Sequence, residues 1–268
     1  MKKSALLFLL LLCMAFSYAQ YGVTTLEKPE MVKKTETIVV VDYELPENRA
    51  MEESLEKALK KAWKICPYKI MDKNAVLSNI KKYYKSSSYS FIFIQYDKIN
   101  KYGFQPLNRS LLLSLTITNK ADAGSEPQVT ALAKSELNYD ICDIESELVK
   151  DLWILQDQIN TGGFKFTEAS SLMKTRTLLI PANLVGKMTK EEITKEYPYP
   201  FQIVTKEELS KAILDQTPNT CFVEHTNIPQ PMVTIIDIPS AKVLYHGAGE
   251  VPIYGFGRTL KILKDHIK

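Results

Sequence analysis

A chain of 268 residues with 45% hydrophobic and 24% charged residues has an ordinary globular composition, long enough for one large domain or two small ones. Its formal net charge of +3 includes Lys2 and Lys3 at the extreme amino terminus, so the rest of the chain is close to neutral. A near-neutral surface offers no electrostatic attraction to nucleic acid or an acidic membrane, and neither is expected as a partner.

Met1-Lys2-Lys3 is followed by an apolar run, Ala5 to Phe16, and then by Ser17-Tyr18-Ala19. Positive segment, apolar core and small residues at the two positions a signal peptidase reads predict a cleavable bacterial secretion signal over residues 1–19. The mature start is then Gln20. The run is about twelve residues, short of the ~20 that a spanning helix needs. Cys13 follows Leu12 and lies inside the apolar run, which argues against lipid attachment. The expected location is periplasmic or extracellular, with nothing spanning the membrane after cleavage. Three later cysteines, Cys66, Cys142 and Cys221, are widely spaced. Their odd number leaves at least one unpaired. Buried free thiols are the simpler reading, with one disulfide as the alternative.

Residues 20–36 form a polar lead-in. Thr37–Val41 is a β-branched run typical of a buried strand. From Glu47 to Lys64, Met51, Leu55, Ala58, Leu59, Ala62 and Trp63 recur at three- and four-residue spacing, which predicts an amphipathic helix. Pro67 precedes a short strand, Tyr68–Met71. Asp72 is placed to cap a helix over Ala75–Tyr84 by accepting its first free backbone N–H groups. Strands follow at Tyr89–Tyr96, Ser110–Thr118 and Gln128–Leu137. A helix over Asp140–Ile159 carries the stripe Ile141, Ile144, Leu148, Leu152, Leu155 and Ile159, and acidic residues at its start complement the helix dipole.

The order then restarts. Arg176–Ile180 is a strand, Lys187–Tyr197 a helix, Phe201–Val204 a strand, and Lys206–Gln216 a helix capped by Thr205. Cys221 opens another strand, Met232–Ile238 and Lys242–Gly249 form a hairpin, and Gly257–Ile267 is a terminal helix. Pro67-Tyr68-Lys69-Ile70-Met71-Asp72-Lys73 matches Pro200-Phe201-Gln202-Ile203-Val204-Thr205-Lys206 at an offset of 133, which also carries Val76 onto Leu209 and Ile80 onto Ile213. Both segments follow β-α-β-α-β-β-β-α. The expected fold is therefore α/β (α+β), with a first unit at 37–162, a second at 175–268, and mixed sheets with helices on one face.

Phe201 to Leu209 and the hairpin Val233 to Tyr245 resemble a module of Gram-negative envelope proteins. It is similar to the amino-terminal domain of TolB and to the periplasmic parts of the curli secretion channel CsgG and the penicillin-binding-protein activator LpoB. In those families the hairpin carries an Asp and a tight turn with Gly, where this chain has Pro239-Ser240-Ala241. The resemblance covers residues 175–250, the first unit matching in order only. It implies non-enzymatic assembly or binding of an envelope protein partner.

The search for chemistry assigns no catalytic, cofactor-binding or metal residue, and no cofactor is expected. His225, His246 and His266 lack ligand spacing, and Glu224 and His225 point to opposite faces of a strand. Ser54-Leu55-Glu56-Lys57 and Ser78-Asn79-Ile80-Lys81 fit S-x-x-K, but the companion K-T-G is missing. Asn119, Asp122 and Glu126 around Gly124 do not match a calcium loop. Lys81 to Lys85 mixes cations and tyrosines, as a helix end does. The best candidate contact region is the loop from Asp97 to Asn108, with Tyr102, Phe104, Pro106 and, at its edge, Arg109, because aromatic residues and arginine are favoured at binding hot spots. Packing of those aromatics onto the core is the plainer alternative. An envelope-binding module is the leading reading. A glycan or peptide hydrolase with carboxylates brought together by folding is the second, and a small-molecule or lipid carrier with a cavity between the units is the third.

Overall fold

The computed structural model describes residues 29–44, 46–79, 82–83, 88–97, 108–117, 128–137, 141–162, 171–226, 232–248 and 256–267. Among them no helix is long and apolar enough to cross a membrane. The leader expected over 1–19 and most of the expected lead-in lie outside these residues. The described residues fall into two compact units, one holding 29–137 with 158–162 and the other 141–157 with 171–267.

The first unit opens with a short helix α1 (Pro29–Val32), then β1 (Glu36–Val41), α2 (Pro46–Ala62), β2 (Tyr68–Asp72), α3 (Lys73–Ser78), β3 (Tyr89–Asp97), β4 (Asn108–Ile117) and β5 (Gln128–Leu137). The end of the lead-in is thus ordered, with Val32 and Thr35 buried. Asp72 caps α3 as expected, its carboxylate accepting from the N–H groups of Asn74 and Ala75 at 2.8 and 3.2 Å. The sheet order is β2-β1-β3-β4-β5. β1 is parallel to β2 and β3, and the last two pairings are antiparallel.

In the second unit, α4 (Ile144–Thr161) supplies residues 144–157. Then come a 3-10 turn (Ser171–Lys174), β6 (Thr177–Pro181), α5 (Ala182–Val185), α6 (Lys190–Glu196), β7 (Phe201–Val204), α7 (Lys206–Asp215), β8 (Thr220–Thr226), β9 (Met232–Asp237), β10 (Lys242–Ala248) and α8 (Phe256–His266). The sheet order is β10-β9-β8-β6-β7, with β6 parallel to β7 and β8 and the rest antiparallel. Taken from the other edge, this is the first sheet's order and strand sense, so the two units share one topology. The mixed α/β class and the tandem repeat are both present.

The placement of helices on one face is corrected. In each repeat the chain moves from the first strand to one neighbour and then back past it to the other. Right-handed crossovers in opposite directions put successive helices on opposite faces of the sheet. In the second unit, Leu178, Ile180, Cys221, Val223, Val233 and Ile235 pack with Ile193 of α6 and Leu260 and Leu263 of α8. The alternate residues face α4, shown by the contact of Lys150 with Glu224. In the first unit, Ile38, Val40 and Phe91 pack with Val76 of α3 and with Tyr83. Tyr83 meets Tyr89 and Phe91 edge to face at centroid distances of 5.1 and 6.3 Å, so this tyrosine of the basic-aromatic tract is core.

Asp237, the acidic residue of the β9–β10 hairpin, is 1% exposed and holds the turn together. Its Oδ1 accepts from Arg176 Nε at 2.8 Å, and its Oδ2 accepts from Ser240 Oγ at 2.6 Å and from the Ser240 N–H at 3.2 Å. Arg176 Nη1 also donates to Asn219 Oδ1 at 2.8 Å. Ala241 completes the turn at φ 56°, a left-handed conformation that favours glycine. Asp237→Ala leaves the partly exposed Arg176 guanidinium without its carboxylate and removes both Ser240 contacts, and is expected to lower stability by about 1–3 kcal/mol. Ala241→Gly relieves the backbone and is expected to be neutral or stabilising by up to about 1 kcal/mol. Urea unfolding of the two variants checks both signs.

Candidate functional site

Sheet registry aligns the repeats residue by residue. Thr37 stands opposite Tyr68 and Ser90, and Leu178 stands opposite Phe201 and Cys221. Ser90 therefore corresponds to Cys221, Phe93 to Glu224, and Ile94 to His225. Where the first repeat has two adjacent apolar residues, the second has a carboxylate and an imidazole. Successive strand residues point to opposite faces, so Glu224 and His225 serve different surroundings.

On the Glu224 side, Lys150 of α4 is 0% exposed. Its ammonium lies 2.5 Å from Glu147 Oε1 and 3.3 Å from Asp151 Oδ1, and it also contacts Glu224 Oε1. Cys142 Sγ donates to Glu147 Oε2 at 2.8 Å. Burial works against the charge on Lys150. The surrounding Asp151, Glu147, Glu224 and Cys142 outweigh it, and its pKa lies well above the ordinary lysine value. Burial raises the Glu147 pKa; Lys150 opposes this and the charge of Glu224 adds to it. Burial and the Glu147 charge together hold Cys142 as a thiol. The cluster is sealed from solvent and spends its charges on seating the helix.

On the other face, His225 is 6% exposed and lines a surface cleft of about 520 Å³. The cleft exists where the helical connection of the second repeat is broken. The sequence predicts one helix over Lys187–Tyr197. Instead α5 stops at Gly186, whose φ is 60°, and α6 restarts behind Thr189. The Thr189 hydroxyl accepts from the Glu192 N–H at 3.2 Å, and Glu192 Oε2 accepts from the Thr189 N–H at 2.8 Å, closing a capping box. The walls combine Leu184, Val185, Met188 and Phe256 with Asn183, Lys187, Glu192, His225 and Thr259. Thr259 is 1% exposed, so two largely buried polar side chains border the cleft.

The other sequence candidates are placed as follows. Tyr102, Phe104 and Pro106 lie outside the described residues, as does the Asn119–Glu126 segment. Arg109 is a β4 residue paired with Tyr96 and Leu137. Lys57 pairs with Glu53 at 2.7 Å on the exposed face of α2, and Ser78 Oγ donates to the Ala75 carbonyl at 3.0 Å, so each has a local explanation. Cys66, Cys142 and Cys221 are free thiols, and burial pushes Cys221 up to about 12. Among the described residues no group of three or more His, Cys, Asp or Glu side chains is arranged to hold a metal ion. His246 stands opposite Thr234 in the hairpin, and its Nδ1 is 3.0 Å from the Thr234 hydroxyl. Comparisons with protein-family models, curated proteins and solved structures give no match.

Lys150→Met leaves three carboxylates facing one another in a dry site and is expected to lower stability by about 3–5 kcal/mol in urea unfolding. Burial pushes His246 down to about 4 from 6.5. The unfolded chain takes up a proton near pH 6.5 while the native imidazole stays neutral. This contribution, up to about 3 kcal/mol, is therefore intact above pH 6.5 and lost as pH falls toward 4. His246→Asn can still bond Thr234. It is expected to flatten the stability profile between pH 6.5 and 4, and an unchanged slope would assign the acid sensitivity elsewhere.

Proposed function

We propose that the chain is an exported, non-catalytic module of the bacterial envelope that binds a protein partner through the cleft of its second repeat. The observation that carries this reading is the cleft's lining. Leu184, Val185, Met188 and Phe256 make it mainly apolar, with a few polar side chains set among them, the mixture that orients a bound chain rather than activating a reacting bond. Among the described lining residues there is one carboxylate, Glu192, and it is engaged in a capping box. Glycoside hydrolysis by paired carboxylates needs two, ~5–10 Å apart. The most strongly perturbed ionisable groups, around Lys150, are sealed inside the unit. The described lining residues of the cleft all belong to the second unit.

Export rests on the leader Met1–Ala19, and the envelope role rests on the resemblance of Phe201–Leu209 and Val233–Tyr245 to the TolB, CsgG and LpoB modules. The hairpin's Asp237 clamps its own turn, a structural task that makes an acidic residue there intelligible in any protein built on this hairpin.

Expression of the full chain in a Gram-negative host tests the reading. Amino-terminal sequencing of the envelope fraction is expected to start at Gln20. A photo-crosslinker replacing Met188 is expected to capture a discrete envelope protein, and one replacing Lys57 on the exposed face of α2 is not. Retention in the cytosol, or equal capture from both positions, would overturn it.

A further inference from the structure

The second sheet ends on an unguarded edge strand, and we infer that β7 pairs with β7 of a second copy of this chain across a two-fold axis. This goes beyond the binding role proposed above and does not rest on it, since no described lining residue of the cleft lies in β7.

A sheet edge presents unpaired N–H and C=O groups, and natural proteins guard it with a charge, a bulge or a cover. The edge strands are β2 and β5 in the first sheet and β10 and β7 in the second. The β5 side chains lie outside the described residues. At β10 the Val243 N–H donates to the Asp157 carboxylate of α4, and the register with β9 shifts at Leu244. At β2 an exposed lysine, Lys69, stands near the centre of the strand. β7 is Phe201-Gln202-Ile203-Val204, with no charge. Gln202 is exposed, and Ile203 is 38% exposed, one of two large hydrophobic side chains left so among the described residues.

The ladder with β6 fixes which backbone groups are free. The Leu178 N–H donates to the Pro200 carbonyl at 2.9 Å. In this parallel register Gln202 and Val204 turn their N–H and C=O inward to β6. Phe201 and Ile203 turn theirs outward, where no described group bonds them.

A two-fold axis through Gln202 satisfies these outward groups together. Phe201 then stands opposite Ile203 of the partner subunit, and each such pair exchanges both backbone hydrogen bonds. One face of the new ladder carries aromatic–β-branched pairs, which favour strand pairing. On the other face Gln202 meets its own copy, and a primary amide both donates and accepts. Register makes Lys69 the equivalent of Gln202, because Thr37 stands opposite Tyr68 as Leu178 stands opposite Phe201. The same pairing at β2 would set Lys69 against itself, and like charges directly opposite are destabilising. One repeat thus keeps a self-repelling residue at its edge, and the other a self-complementary one. That self-complementarity selects a second copy as the occupant.

Sedimentation velocity on the purified protein tests the pairing. A short strand contact is weak, with Kd on the order of 10 μM, so a monomer–dimer equilibrium is expected between about 1 and 300 μM. Gln202→Lys, which installs the residue of β2, and Gln202→Glu are each expected to weaken the dimer about fivefold. Thermal unfolding of the monomer is expected to stay unchanged in both, because the position is exposed. An equimolar mixture of the two variants sets opposite charges face to face and is expected to regain the dimer. A monomer at every concentration, a dimer that neither substitution weakens, or a mixture that stays monomeric would overturn the inference. Crosslinking from Met188 reports on the cleft, so failure of this pairing and failure of the wider binding role are separable.

Discussion

One ammonium sealed among carboxylates governs the second unit. Lys150 enters the interior only because Glu147 and Asp151 from its own helix and Glu224 from β8 surround it. A buried charge without such company costs several kcal/mol. A helix slid by one turn, or a strand shifted by one residue, would part Lys150 from Glu224, its partner on the sheet. The cluster therefore selects a single seating of α4 on the sheet, where apolar packing alone would accept several. With Glu224 committed to that face, strand geometry commits His225 to the other, at the base of the cleft. The buried charge cluster and the surface cleft thus meet at two adjacent residues.

The repeat acts as an internal control on this coupling. Both units use the same strand order and sense, so differences at equivalent positions stand out against a common frame. The first unit places Phe93 and Ile94 where the second has Glu224 and His225. It places the hydroxyls of Thr37 and Ser90, hydrogen-bonded at 2.8 Å, where the second has Leu178 and Cys221. Each unit hides polar groups in its sheet at different positions. In the second the substitution coincides with a broken helix and an adjoining cleft. Duplication supplies a common scaffold, and the proposed binding role rests on divergence at a few positions of one copy.

Much of this was legible along the chain. Residue pattern and turn residues located β2, β5, β7 and α2 to within a residue or two. The caps at Asp72 and Thr205 were visible because N-capping is local chemistry. The repeat was visible through matched order and one aligned segment. The short helix α5 was not, and the helix read from Lys187 begins only at Lys190, behind the Thr189 cap. Lys150 also escaped notice. A lysine between Leu148 and Leu152 looks solvated, and its partner Glu224 lies 74 residues further on. Reading Tyr102, Phe104 and Arg109 as a contact loop relied on residue type alone, which carries no information about neighbours.

The sequence by itself determined the element types, the two-fold repetition and the conformity of most strands to one buried pattern, because those follow from short-range periodicity and capping. The tertiary structure alone decided three things. It placed helices on both faces of each sheet, because reversal of the crossover direction is a property of strand order. It assigned most of α4 to the second unit, because the pairing of its lysine spans distant sequence. It brought His225, Lys187 and Phe256 to one cleft, because a site is made by elements that meet only when the chain has folded.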